Sequence, residues 1–99
     1  MYSIHWSKLA EITFSEEMDF IFEKWNQNEV DKFILLVENN IENLSKNPFL
    51  GRKSGNKNIY SFVISKQTTI FFKISEIEER VDLILFWSNK KNPQLLDNY

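Results

Sequence analysis

The sequence predicts an α+β fold of order β-α-α-β-β-β, a small antiparallel sheet backed on one face by a helical hairpin. Three observations predict it. First, residues 59–66, 68–74 and 80–87 form three runs rich in β-branched and aromatic side chains, the composition of pleated, half-buried strands. Second, only a tight turn at Gln67 and a polar turn over 75–79 separate these runs, and connections that short make neighbouring strands antiparallel. Third, residues 8–46 carry apolar side chains at spacings of three and four with a single break, the mark of paired amphipathic helices. A sheet this apolar needs a cover, and the hairpin supplies it.

The elements follow in order. Tyr2, Ile4 and Trp6 alternate with Ser3 and His5 as a short strand does. This strand is expected to join the sheet, at a position that the sequence leaves open. Ser7 suits a helix N-cap, and Ala10, Phe14, Met18, Ile21, Phe22 and Trp25 give the stripe of a helix over 8–25. Asn26, Gln27 and Asn28 break it, and Asn28 with Asp31 has the spacing of a capping box. Val30, Phe33, Ile34, Val37, Ile41 and Leu44 then mark a second helix over 29–46, about 27 Å long at ~1.5 Å per residue. Asn47–Pro48 ends it, because the residue before proline is driven out of the α region. Residues 49–57, which hold both glycines, read as a basic loop. In the strands, Ile70, Phe72 and Ile74 face away from Thr69, Phe71 and Lys73. Val81, Leu83, Leu85 and Trp87 likewise oppose Asp82, Ile84 and Phe86.

A chain of 99 residues, 42% hydrophobic and 26% charged, is expected to form one ordinary globular domain. It has no cysteine, which removes disulfides and thiolate metal sites and fits a reducing compartment. The N-terminus lacks the charged start and apolar run of a signal peptide, and no apolar run nears the roughly 18 residues that span a bilayer. The expectation is a cytoplasmic chain with no membrane association, no metal and no cofactor.

The net charge of −2 hides a split. Residues 1–45 carry nine acids and three bases; residues 46–75 carry Lys46, Arg52, Lys53, Lys57, Lys66 and Lys73 and no acid; residues 76–99 carry five acids and three bases. An acid-rich hairpin is therefore expected to shield one side of the sheet while the cations face outward on the other, where an anion would sit. There is no HExxH, CxxC, Walker or GxSxG pattern. His5 reads as structural, and the adjacent pairs Glu16–Glu17 and Glu78–Glu79 as solvated surface. What remains is the set Arg52, Lys53, Lys57, Lys66, Lys73, Lys90 and Lys91, cations able to hold phosphates and the charge that builds during phosphoryl transfer.

Several local patterns carry a resemblance. They are Ile4–His5–Trp6–Ser7 with Ala10–Glu11 and Thr13–Phe14; Leu44–Ser45–Lys46–Asn47–Pro48; Lys57–Asn58–Ile59; Val63–Ile64–Ser65–Lys66; Ile70–Phe71–Phe72–Lys73–Ile74; and the ending Leu85–Phe86–Trp87–Ser88–Asn89–Lys90–Lys91–Asn92–Pro93. In this order they resemble the RelE/ParE superfamily of bacterial type II toxin–antitoxin toxins, over nearly the whole chain. The resemblance implies the fold just derived and a role in growth regulation and plasmid stabilisation. It also implies one of two activities. RelE-like members cut messenger RNA on the ribosome without a metal; ParE-like members block DNA gyrase. In both, an antitoxin wraps the toxin.

For the nuclease branch the resemblance implies catalytic roles for Tyr60, Lys66, Lys73 and Lys90, with Tyr60 moving the proton and the lysines holding the phosphate. Arg52, Lys53, Lys57 and Lys91 would bind RNA. Tyr60 and Lys73 stand where arginine is common, Gln67 where histidine is common, and Lys90 replaces an arginine of the final motif. Lysine lacks the bidentate fork of arginine, and Gln67 cannot titrate. The other branches are a non-catalytic toxin and a chain whose only partner is its antitoxin. Phe86 and Trp87, at a strand end, are candidate antitoxin contacts, with packing of Trp87 under Leu95–Leu96 as the alternative.

Overall fold

The computed structural model describes residues 1–55 and 58–90. The chain runs β1 (Ser3–Trp6), α1 (Lys8–Lys24), α2 (Gln27–Lys46), a 3-10 turn (Pro48–Leu50), β2 (Arg52–Ser54), β3 (Ile59–Val63), β4 (Thr68–Ser75) and β5 (Arg80–Ser88). The five strands make one sheet of order β1-β5-β4-β3-β2. The expected antiparallel order holds from β2 to β5. β1 lies parallel to β5 with Ile4 beside Val81, so the sheet is mixed.

The basic loop expected over 49–57 is corrected. It opens with the 3-10 turn and contributes β2, whose Arg52, Lys53 and Ser54 pair with Ser61, Tyr60 and Ile59. Gly51 precedes this strand where a Cβ would come 2.6 Å from the Phe72 Cζ and 3.1 Å from the Ser61 carbonyl oxygen. Glycine lets the backbone lie directly on the core there.

The hairpin break is shorter than expected. Ser7 caps α1 by accepting from the Ala10 N–H at 3.0 Å. Asn26 caps α2 by accepting from the Glu29 N–H at 3.0 Å, so the cap lies two residues before the one read from Asn28 and Asp31. Asp31 instead accepts from the Gln27 side chain.

One bulge reorganises the sheet faces. Phe71 pairs with Leu85 but Phe72 with Leu83, leaving Ile84 as the extra residue. A bulge shifts the side-chain alternation by one. Val81, Leu83 and Phe86 therefore share the helix-facing core with Ile70 and Phe72, while Leu85 and Trp87 pair with Phe71 and Thr69 on the other face. The uniform alternation expected for 80–87 is corrected on this point.

The seam between α1 and β5 explains the placing of the helix. β1 stops pairing at Trp6, so the edge of β5 beyond Leu83 loses its strand partner. Side chains of the helical segment replace it: Ser7 Oγ donates to the Ile84 carbonyl at 2.9 Å, and the Phe86 N–H donates to Thr13 Oγ1 at 2.9 Å. Thr13 Oγ1 in turn donates to the Leu9 carbonyl at 2.7 Å. The buried line of α1 is thus Ala10, Thr13, Glu17 and Ile21. Phe22 and Trp25, expected in the core stripe, are 55% and 58% exposed. Both buried polar side chains, Thr13 and Glu17, are hydrogen-bonded, as buried polar groups generally are; Glu17 Oε2 accepts from Thr68 Oγ1 at 3.3 Å.

Candidate functional surface

The strand registers assign each candidate residue to a face, since directly opposed residues point the same way. Arg52 lies opposite Ser61, itself opposite Phe71; Lys73 lies opposite Ile59 and Asp82. All of these face away from the helices. Arg52 and Lys73 therefore share the open face, across strands β2 to β4, and both are exposed.

The other catalytic candidates lie elsewhere. Tyr60 pairs with Phe72 on the helix side, stacked on it at 5.9 Å and meeting Phe49 edge-on at 6.1 Å. Lys53 is opposite Tyr60 and faces that side too. Lys66 sits in the turn before Thr68; along β4, Thr68 and Lys73 alone are separated by about 17 Å at ~3.4 Å per residue. Lys90 leaves β5 toward α1, its Nζ 5.6 Å from the centre of the Phe20 ring. The arrangement expected for Tyr60, Lys66, Lys73 and Lys90, one cluster around a phosphate, is not formed. Lys57 and Lys91 lie outside the described residues, as do Leu95 and Leu96.

Phe86 and Trp87, the candidate antitoxin contacts, are 2% and 5% exposed. Phe86 packs against Trp6 and Phe14, with ring centres 5.3 and 5.2 Å away. Exposed apolar side chains on the hairpin include Phe22, Trp25, Leu35 and Leu36.

Asn89 fastens the end of β5 to the turn that carries Lys66. Its N–H donates to the Gln67 carbonyl at 2.7 Å, its Nδ2 to the Lys66 carbonyl at 3.1 Å, and its Oδ1 accepts from Thr69 Oγ1 at 2.9 Å. This turn borders a cleft of about 480 Å³ lined by Ile21, Trp25, Lys32, Phe33, Lys66 and Gln67 among others. Lys32 pairs there with Glu29 at 3.3 Å.

Beside Lys90, Lys24 also lies 5.6 Å from the Phe20 ring centre and 5.8 Å from that of Trp25. The closeness of Lys24, within hydrogen-bonding reach, holds the Lys90 pKa below the ordinary lysine value; its repulsion and partial desolvation act in the same direction, against a weaker pull from Glu17. Sequence reading missed this pair, although the i,i+4 spacing of Phe20 and Lys24 was visible.

On the open face His5 lies beside Asp82, its Nε2 3.2 Å from Ser3 Oγ. Arg80 donates from Nε to Asp82 and meets Glu78 through Nη1 at 3.2 Å. Among the described residues no group of histidine, cysteine and carboxylate side chains is placed to hold a metal ion, and no helix is long and apolar enough to cross a membrane.

Residues 4–93 match the family described as the ParE toxin of the type II toxin–antitoxin system parDE. The chain belongs to the ParE toxin family. Solved structures share the fold of this ParE-family chain. A chain of the chromosomal ParDE TA system from P. aeruginosa superposes with a TM-score of 0.76 at 12% identity, over 89% of this chain and 96% of that one. The RelBE2 toxin–antitoxin complex from Mycobacterium tuberculosis gives 0.62 at 13% identity, over 89% and 98%. The intact E. coli RelBE complex gives 0.61 at 10% identity, over 92% and 100%. Among curated proteins no sequence matches.

Proposed function

We infer that this ParE-family chain is a toxin that acts by binding its target, DNA gyrase, and not by cutting messenger RNA. The separation of Tyr60, Lys66, Lys73 and Lys90 carries this reading. A metal-free ribonuclease needs a proton-transfer group and phosphate-binding cations within reach of one scissile bond. Here Tyr60 is stacked on Phe72 and meets Phe49 edge-on on the helix side, Lys73 stands on the open face, and Lys90 reaches back to α1. Binding needs only a shaped surface, and Arg52 and Lys73 on the open face favour an acidic one.

The partner that restrains the toxin is a cognate antitoxin, and the chain works as one domain in the cytoplasm. Exposed Phe22, Trp25, Leu35 and Leu36 on one helical hairpin support a covering partner, since exposed apolar surface on a small monomer marks interaction sites. The RelBE neighbours are toxin–antitoxin complexes.

Producing the chain alone and mapping transcript ends across the messenger RNA pool tests the mode of action. Growth arrest without new 5′ ends is the expected outcome. New ends clustered within translated codons would replace this reading with ribosome-dependent cleavage, in which Arg52 and Lys73 would be the phosphate-binding pair.

A further inference from the structure

We propose that Lys24 and Lys90, held over the ring of Phe20, form a binding site for a phosphate oxyanion. Lys24 comes from the last turn of α1, one turn beyond Phe20, and Lys90 from the chain leaving β5. Both ammonium nitrogens lie 5.6 Å from the same ring centre. The ring face attracts each cation, yet it brings together two like charges that repel. Solvent-exposed lysines ordinarily separate; these two converge from different elements onto one aromatic face.

Glu17 favours the charged form of Lys90, but its Oε2 accepts from Thr68 Oγ1 and its side chain is buried in the seam. A phosphate group would accept from both ammoniums at once through separate oxygens, making two charge-assisted hydrogen bonds. It also carries up to two negative charges at neutral pH, enough to offset both lysines, where a carboxylate brings one. The depressed pKa of Lys90, caused first by the closeness of Lys24, agrees with two ammonium groups held side by side. Phe20 is 43% exposed and Trp25 more so, so the phosphate of a nucleotide could bring its base against a ring. The site lies on the helix side, away from Arg52 and Lys73, and stands whichever target the toxin has.

The test follows the lysine side-chain signals of the full chain by NMR at constant ionic strength, adding inorganic phosphate against a sodium chloride control. The Lys24 and Lys90 signals are expected to move together and saturate, while those of Lys8 and Lys46 stay. Lys90→Gln should weaken the response of Lys24 by about tenfold, the loss of one charge-assisted hydrogen bond, and Lys90→Arg should retain it. Both substitutions are at an exposed residue, and an unchanged backbone amide spectrum verifies the fold. Thymidine 5′-monophosphate that displaces the phosphate identifies a nucleotide monoester as the source; saturation by phosphate without such competition identifies free phosphate or another small ester. Shifts that fail to saturate, that chloride reproduces, or that persist unchanged in Lys90→Gln would overturn the proposal.

Discussion

Phe72→Ala is expected to remove about 3–5 kcal/mol of folding free energy, the usual cost of truncating a fully buried phenylalanine. A domain of this size has only about 5–15 kcal/mol in all, so the loss is a large fraction of its stability. The position explains the size of the loss. Phe72 is fully buried, sits beside the bulge where β4 changes partner on β5, and carries Tyr60 stacked on its ring. Gly51 rests directly on it, so the cavity would open between the sheet and the backbone that leads into β2. Urea denaturation measures the effect as a lower midpoint at an unchanged m-value. Phe72→Leu, which keeps most of the volume, should lose much less. Equal losses for both would mean that ring stacking with Tyr60, and not filled volume, holds this part of the core.

The second large effect is expected at Thr13. Thr13→Val keeps the shape but leaves the Phe86 N–H, buried in the α1–β5 seam, without its acceptor. An orphaned buried donor costs about 1–3 kcal/mol. Thr13→Ser keeps the hydroxyl and should recover most of it. The local signature is faster hydrogen exchange at the Phe86 amide in the valine variant, beyond the change at core amides such as Ile70. A valine variant as stable as the parent, with Phe86 still protected, would show that this amide finds another acceptor and that Thr13 does not hold the seam.

Thr13 also illustrates what the sequence made legible. Its alternation and helical spacing gave the two layers, because burial imposes those periods directly. They failed where a polar side chain replaces a strand. Thr13 and Glu17 lie at the centre of the buried helix face, and a reading that equates burial with apolarity rotates the helix, sending Phe22 and Trp25 inward. β2 was hidden for a related reason: Arg52, Lys53 and Ser54 are an edge strand with no apolar alternation. The turn that returns it was signalled, however, by Gly55 and Asn58, both of which adopt positive φ. The bulge at Ile84 had no signal of its own, and one unpaired residue moved Leu85 and Trp87 to the opposite face from Val81 and Leu83.

The candidate site was less legible than the fold. Charge counted along the sequence suggested one cationic surface, but strand register divides it. Arg52 and Lys73 fall on the open face, Lys53 with Tyr60 on the helix side, and Lys90 against Phe20. Proximity in sequence could not reveal this, since a shift of one residue along a strand changes the face. The family resemblance, read from ordered local patterns, agrees with the match over residues 4–93, because those patterns record the fold and not the site chemistry.

Supercoiling of relaxed plasmid by purified gyrase, with the purified chain titrated in, tests the mode of action most directly. Binding to gyrase predicts loss of supercoiling as the chain approaches stoichiometry with the enzyme, and recovery when cognate antitoxin is added. Unimpeded supercoiling at large excess of a folded chain that still arrests growth would contradict it.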